Sequence, residues 1–262
     1  MTEYKNILFD VKNQIGTLTI NRPKALNALN SETLNEIYDL VKAIEGGQFE
    51  IHFLIITGAG DKAFVAGADI KEMANLNPLE ARDFSRLGSQ VFKAIQNLSL
   101  PTLAAINGYA LGGGLELSMA CDLRFACENA VVGLPEVGLG VIPGFGGTQR
   151  LPRIIGLAKA NEFLFTGGNL KADVALEAGL FNRLYPVEQL LPEAYAYAEK
   201  VIKKAPIAVK YAKLAASKGI DMSLDKGLDY ESELFGLLFA TEDQSEGMGA
   251  FVEKREAEFK NQ

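Results

Sequence analysis

Apolar residues come in short alternating bursts at the start of the chain and in longer helical runs towards its end. Ile7–Asp10 and Gln14–Ile20 are β-rich, and Lys12-Asn13 between them predicts a hairpin. Asn30 or Ser31 can cap a helix reaching about Glu45, with Leu34, Ile37, Leu40, Val41 and Ile44 on one face. Gly46-Gly47 ends it. The run Ile51–Thr57 is apolar without alternation and predicts a strand buried on both faces. A Gly- and Ala-rich loop, Gly58 to Asp69, leads to a helix between about Pro78 and Leu98. Leu103–Asn107 is a second buried strand, broken by Gly108. From about Glu188 strand signals stop, and helical segments follow at 188–204, 206–218, 223–240 and 242–259. The pattern predicts an α/β domain over 1–190 and a helical C-terminal region over 191–262.

Composition narrows the function classes. The 262 residues are 48% hydrophobic and 23% charged, with a net charge of −7, which describes a globular chain with a sizeable core. The acidic balance disfavours a general affinity for nucleic acid or anionic membrane. An anionic ligand would therefore have to be met by local basic groups or backbone amides. Cys121 and Cys127 form no CxxC spacing and no disulfide framework, which points to a reducing, cytoplasmic setting. The first residues lack a signal-peptide profile, and no apolar run approaches the ~18 residues of a membrane span.

Candidate chemistry concentrates in Ile106–Cys121, where Gly112, Gly113 and Gly114 stand between a strand and a helical pattern. Three glycines cost chain entropy unless the backbone turns sharply or approaches a ligand closely. A turn at a helix start leaves N–H groups able to meet negative charge, although a GGG run alone can also be a turn without a ligand. Glu116 follows in the first helical turn, among Leu115, Leu117, Met119 and Ala120. Burial there would raise its pKa towards the range useful for proton transfer. Glu136 also stands among apolar and glycine residues, before the Gly-rich turn Ile142–Arg150. Two such carboxyls could serve as an acid/base pair, if the fold brings them together.

These stretches resemble one family. AFVAGADIKEM (Ala63–Met73), INGYALGGGLELSMACDLRFA (Ile106–Ala126) and LPEVGLGVIPGFGGTQRLPR (Leu134–Arg153) are similar to motifs of the crotonase, or enoyl-CoA hydratase, superfamily. TINRPKALNALN (Thr19–Asn30) and TEDQSEGMGAFVEKREAEF (Thr241–Phe259) match as well, so the resemblance spans essentially the whole chain. Within the superfamily it is most similar to the bacterial short-chain hydratases. The resemblance implies a spiral of repeated ββα units with a helical C-terminal trimerisation region. It also implies reversible syn hydration of a short-chain trans-2-enoyl-CoA, such as crotonyl-CoA, to the 3-hydroxyacyl-CoA.

Residue by residue, the resemblance implies an oxyanion hole from the N–H groups of Ala68 and Gly113. Glu116 would act on water and Glu136 at Cα, with the Gly144 backbone beside the water. The carbonyls of Ala66 and Ile70 would meet adenine, with Lys24 and Lys71 nearby. Phe235 and Lys254 would reach the CoA of a neighbouring subunit, in a homo-oligomer expected to be a hexamer built as a dimer of trimers. No metal or other cofactor is expected, because coenzyme A is part of the substrate. Leu134 departs from the commonest pattern, in which Gln precedes Pro-Glu, and a side-chain amide near Glu136 is therefore missing.

Other readings remain open on sequence alone. One is an enoyl-CoA isomerase or acyl-CoA hydrolase of the same fold; another is a silent acyl-CoA- or RNA-binding relative. The isomerase reading is weakened because both glutamates stand, and the RNA reading by the −7 charge. A nicotinamide-dependent dehydrogenase is disfavoured because Gly138-Leu139-Gly140-Val141-Ile142-Pro143 fails GxGxxG at its last position. His52, the single histidine, falls in a predicted strand and carries no expected chemistry.

Overall fold

A computed structural model describes residues 4–262. The chain divides into two compact units, one comprising residues up to Leu98 and Thr102–Tyr195, the other Ser99–Pro101 and Ala196–Gln262. The division after Tyr195, like the expected one at 190/191, falls within a single helix, Val187–Ile202.

In the first unit, β1 (Ile7–Lys12) and β2 (Ile15–Ile20) form the expected antiparallel hairpin. Its turn is Asn13-Gln14, one residue later than the sequence suggested. Both residues have positive φ, 49° and 62°, as a two-residue turn matching the twist of its strands requires. Helix α1 (Ser31–Glu45) is capped by Asn30, whose side chain accepts the Thr33 N–H. Its face of Leu34, Ile37, Leu40, Val41 and Ile44 is buried as the periodicity predicts. Burying each such side chain is worth about 1.5–3 kcal/mol.

A repeat follows. Strand β3 (Phe53–Gly58) leads to β4 (Ala63–Val65), then to the short α2 (Ile70–Met73) and the long α3 (Pro78–Gln96). Strand β5 (Thr102–Ile106) leads to β6 (Tyr109–Leu111) and α4 (Gly113–Ala120). Strand β7 (Leu123–Cys127) leads to β8 (Val131–Gly133), a 3-10 turn at Pro135–Leu139, and α5 (Gly147–Ile155). Each turn places one strand in each of two sheets. After α6 (Leu157–Thr166), β9 (Asn169–Lys171), α7 (Ala172–Glu177) and β10 (Arg183–Tyr185), the sheets run β1-β2-β3-β5-β7-β10 and β4-β6-β8-β9. The parallel pairs β3·β5, β5·β7, β4·β6 and β6·β8 carry the spiral. This is the expected ββα architecture. Sandwiching explains why β3 is buried along its whole length and reads as a continuous apolar run.

The three-residue strands of the second sheet escape a periodicity reading. His52 sits in a bend just before β3 rather than within the strand, and its N–H donates to the Gln14 carbonyl at 2.8 Å. Cys121 and Cys127 are buried, and burial pushes the Cys127 thiol up to about 11.

Helix α8 (Val187–Ile202) joins the units; the second contains α9 (Pro206–Gly219), α10 (Leu224–Leu238) and α11 (Glu242–Glu253). The last helix ends six residues before the expected Phe259, with Lys254 at φ 58°. The cause is Asp243, buried at the start of α11, which accepts the N–H groups of Lys260 and Asn261 at 2.7 and 3.0 Å. The Gln262 carbonyl in turn accepts the N–H groups of Glu242 and Asp243. The tail thus folds back to satisfy the first turn of α11, a role helical continuation would forbid.

Candidate active site

One cavity of about 260 Å³ in the first unit is lined by Ala66, Ala68, Ile70, Gly113, Glu116, Glu136 and Gly144. These seven sequence-selected residues come from four segments that the spiral brings together. Apolar side chains, among them Met73, Phe84, Leu139 and Ile142, form much of its remaining wall.

Helix α4 brings the GGG run to this cavity and is buried along its whole length. Gly114 stands so close to β4 that a Cβ there would drive into the Val65 carbonyl oxygen. At Gly113 a Cβ would lie 3.3 Å from the Ala68 nitrogen and 3.2 Å from the Phe145 ring. The loop holding Ala68 is bridged to Leu29: the Leu29 N–H donates to Gly67, and the Asp69 N–H donates to Leu29. Those bonds skip Ala68. Among the described residues neither the Ala68 nor the Gly113 N–H has an acceptor. Two backbone donors at one cavity wall can meet a developing oxyanion.

Glu116 is almost wholly buried at 1% exposure. Its Oε1 accepts the Phe145 N–H at 2.8 Å and the Gly147 N–H at 2.6 Å. Burial pushes its carboxyl up to about 7, with a further rise from the charge of Glu136; the two N–H donors and Arg150 oppose it. Glu136 is half-buried in the 3-10 turn, and desolvation raises its carboxyl as well. Its Oε2 is buried and has no hydrogen-bond partner among the described residues. Leu134, buried two positions earlier, offers no polar side-chain atom. The result is one carboxyl gripped by two amides and a second with an unpaired oxygen.

The Glu116 shift makes a stability prediction. The unfolded carboxyl ionises near 4.5 and the folded one near 7, so between those values the unfolded state holds fewer protons and stability falls as pH rises. Urea unfolding at fixed protein concentration should show wild type losing up to about 3 kcal/mol relative to Glu116→Gln between pH 4.5 and 7, then no more. A pH-independent difference would show that Glu116 titrates normally.

Several residues that build the site stand within the resemblance motifs or on α3 without an expected role. Phe145 packs edge-on against Phe84 and Phe92, with ring centres 5.3 and 5.6 Å away. It reaches them because Gly88 presents no side chain: a Cβ there would enter the Phe145 ring. Arg150 donates to the Phe145 carbonyl and to Gln96, both at 3.0 Å. Asn27, buried at φ 60°, donates to the carbonyls of Ala59 and Ala63. Arg22 pairs with Asp69 at 3.0 Å and also donates to the Ala28 carbonyl. These contacts staple the Arg22–Leu29 segment to the loop bearing Ala66 and Ala68. Small residues at 85, 88 and 89 in an otherwise amphipathic helix were the one available clue to this packing.

The remaining sequence-selected residues lie elsewhere. Lys24, in a 3-10 turn at Pro23–Ala25, and Lys71, on α2, are exposed. Phe235 on α10 and Lys254 after α11 belong to the second unit and are exposed.

Residues 10–262 match the family model described as enoyl-CoA hydratase/isomerase. The chain is 50% identical over 256 residues to a crotonyl-CoA hydratase of Syntrophomonas wolfei, with 98% of each chain covered. It is 49% identical to a short-chain-enoyl-CoA hydratase of Clostridium acetobutylicum, covering 99% of each. Among solved structures, an enoyl-CoA hydratase from Bacillus anthracis superposes with a TM-score of 0.95 at 41% identity, covering 98% of this chain and 100% of that one.

Proposed function

The chain belongs to the enoyl-CoA hydratase/isomerase family, and we propose that it hydrates short-chain trans-2-enoyl-CoA thioesters reversibly, using Glu116 and Glu136. The observation that carries this reading is the meeting of two carboxyls of raised pKa and two unpaired backbone N–H groups at one largely apolar cavity. An isomerase needs to move one proton between carbons, whereas hydration needs one removed from water and one delivered to carbon. Two carboxyls suit the second task.

Glu116 is the base: two N–H donors keep an anion tolerable at a buried position, and a carboxyl near 7 is partly ionised at neutral pH. As it takes a proton from water, the oxygen bonds to Cβ and the π electrons move towards the thioester oxygen. The Ala68 and Gly113 N–H groups receive that charge. Glu136, whose carboxyl desolvation pushes up, acts in its protonated form and gives its proton to Cα. Each glutamate ends in the opposite state, and exchange with solvent resets the pair. Gly144 meets the water through its N–H, its carbonyl being taken by α3. The thioester and the oxyanion donors supply the electron sink, so the scheme calls for no metal or other cofactor.

The carbonyls of Ala66 and Ile70, with Lys24 and Lys71, are assigned to the CoA nucleotide. Lys254 and Phe235 are assigned to the CoA of a neighbouring copy in a hexamer of two trimers, and the protein to the cytoplasm. Among the described residues no helix is long and apolar enough to cross a membrane. Mass measurement in solution tests the assembly: multiples of three are expected, and a fully active monomer contradicts a shared site. The activity is tested by following the loss of conjugated-thioester absorbance. Crotonyl-CoA should turn over faster than longer enoyl-CoAs, given a cavity just below the roughly 300–1,000 Å³ usual for ligand sites. No consumption of any enoyl-CoA would remove the reading.

A further inference from the structure

Glu116 receives its two hydrogen bonds from peptide groups, and one of those peptides is itself held from behind. The Phe145 N–H that donates to Glu116 Oε1 at 2.8 Å belongs to the same peptide as the Gly144 carbonyl. That carbonyl accepts the Ser85 hydroxyl at 2.6 Å and the Ser89 hydroxyl at 3.3 Å. The two serines stand one turn apart on α3, on either side of Gly88, which admits the Phe145 ring. Helical serines commonly turn back to a carbonyl four residues earlier. Here both instead reach across to a loop more than fifty positions away in sequence.

The connection is continuous: hydroxyl to carbonyl, through one peptide, N–H to carboxylate. A donor on a peptide oxygen polarises the amide, strengthens its N–H as a donor and fixes the peptide plane. We propose that Ser85, assisted by Ser89, is a positioning residue that acts through the Gly144–Phe145 peptide to orient the Glu116 carboxylate and favour its ionised form. The kinetic part of this proposal rests on Glu116 being the hydratase base; the coupling itself does not.

The other groups bearing on Glu116 are charged. Glu136, in the 3-10 turn, raises its pKa, and Arg150, on α5, lowers it. Arg150 also donates to the Phe145 carbonyl, the next peptide along. Helix α3 contributes neutral hydroxyls, so replacing Ser85 leaves the local charge unchanged and isolates the hydrogen-bond effect. Ser85 also lines the cavity, and the experiment must separate that structural role from the coupling.

Glu116 can be titrated directly by carboxyl infrared difference spectra against Glu116→Gln, in wild type, Ser85→Ala, Ser85→Thr and Ser85→Ala/Ser89→Ala. Ser85→Ala should raise the Glu116 midpoint by about half a pH unit, and the double variant by more, because the donor that favours the anion is weakened. Ser85→Thr, which keeps the hydroxyl, should return it to the wild-type value. With crotonyl-CoA, kcat should fall about three- to tenfold at neutral pH with KM within about twofold, and the acid limb of kcat/KM should move up with the midpoint. A Glu116 midpoint unmoved in both alanine variants overturns the proposal. A raised KM alongside that unmoved midpoint identifies Ser85 as cavity wall alone. The titration needs no turnover, so an inactive wild type whose midpoint still depends on Ser85 would remove the hydratase reading and leave the coupling standing.

Discussion

Glu116→Gln and Glu136→Gln should each lose at least about a hundredfold in kcat with crotonyl-CoA, since a positioned acid or base contributes roughly 10²–10⁴ in rate. The substitutions are close to isosteric, and the reason for the loss differs between them. In Glu116→Gln the side-chain oxygen can still accept the Phe145 and Gly147 N–H groups, so the loop stays in place while the proposed base is gone. In Glu136→Gln the buried Oε2, which has no hydrogen-bond partner among the described residues, gives way to an atom that cannot deliver a proton to carbon. Both variants should bind acyl-CoA with affinity near wild type, because neither carboxyl is assigned to CoA. The double variant should be little slower than the worse single one, since the two act as a unit. Near-wild-type turnover in either single variant would take that residue out of the mechanism.

Gly113→Ala should be nearly as damaging, for a steric reason. The added methyl would lie 3.3 Å from the Ala68 nitrogen and 3.2 Å from the Phe145 ring. It would therefore occupy the approach to both proposed oxyanion donors without blocking the helix from forming. Loss of one such donor typically costs about 10²–10³ in kcat, and obstructing the pair should cost at least that. Circular dichroism should show native helix content, with thermal stability little changed. Gly114→Ala provides the contrast: its methyl would meet the Val65 carbonyl, so that variant should lose the fold. A folded Gly113→Ala protein with wild-type activity would contradict the oxyanion assignment.

How much of this was legible in the sequence depends on the length of the element carrying it. Helices α1 and α3 announce themselves through caps and an apolar face, and their observed bounds differ little from the periodicity reading. The three-residue strands β4, β6 and β8 are too short to establish a period, so the second sheet is invisible without the motif resemblance. The end of α11 at Glu253 differs from the periodicity reading because contacts outside the local pattern decide it. In α11 those contacts are the bonds from Asp243 and Gln262.

The same logic applies to the site. Glu116 and Glu136 stand out because a carboxyl among apolar residues needs explaining, whereas Ser85, Gly88 and Asn27 look ordinary until their partners are known. Single-sequence patterns expose a residue that violates its surroundings. They do not expose one that satisfies a distant backbone group, as Asn27 does for Ala59 and Ala63. Cavity membership of the two glutamates is likewise a product of the spiral, not of their spacing along the chain.

The central claim is that the elements of one water, a hydroxyl at Cβ and a proton at Cα, add across one double bond at this cavity. It is tested most directly by letting the wild-type protein act on crotonyl-CoA in deuterium oxide and examining the product by proton NMR. The account predicts 3-hydroxybutyryl-CoA carrying a single deuterium at C2, placed on the same face as the C3 hydroxyl. Unchanged crotonyl-CoA, or a product in which the double bond has moved without gain of water, would contradict it.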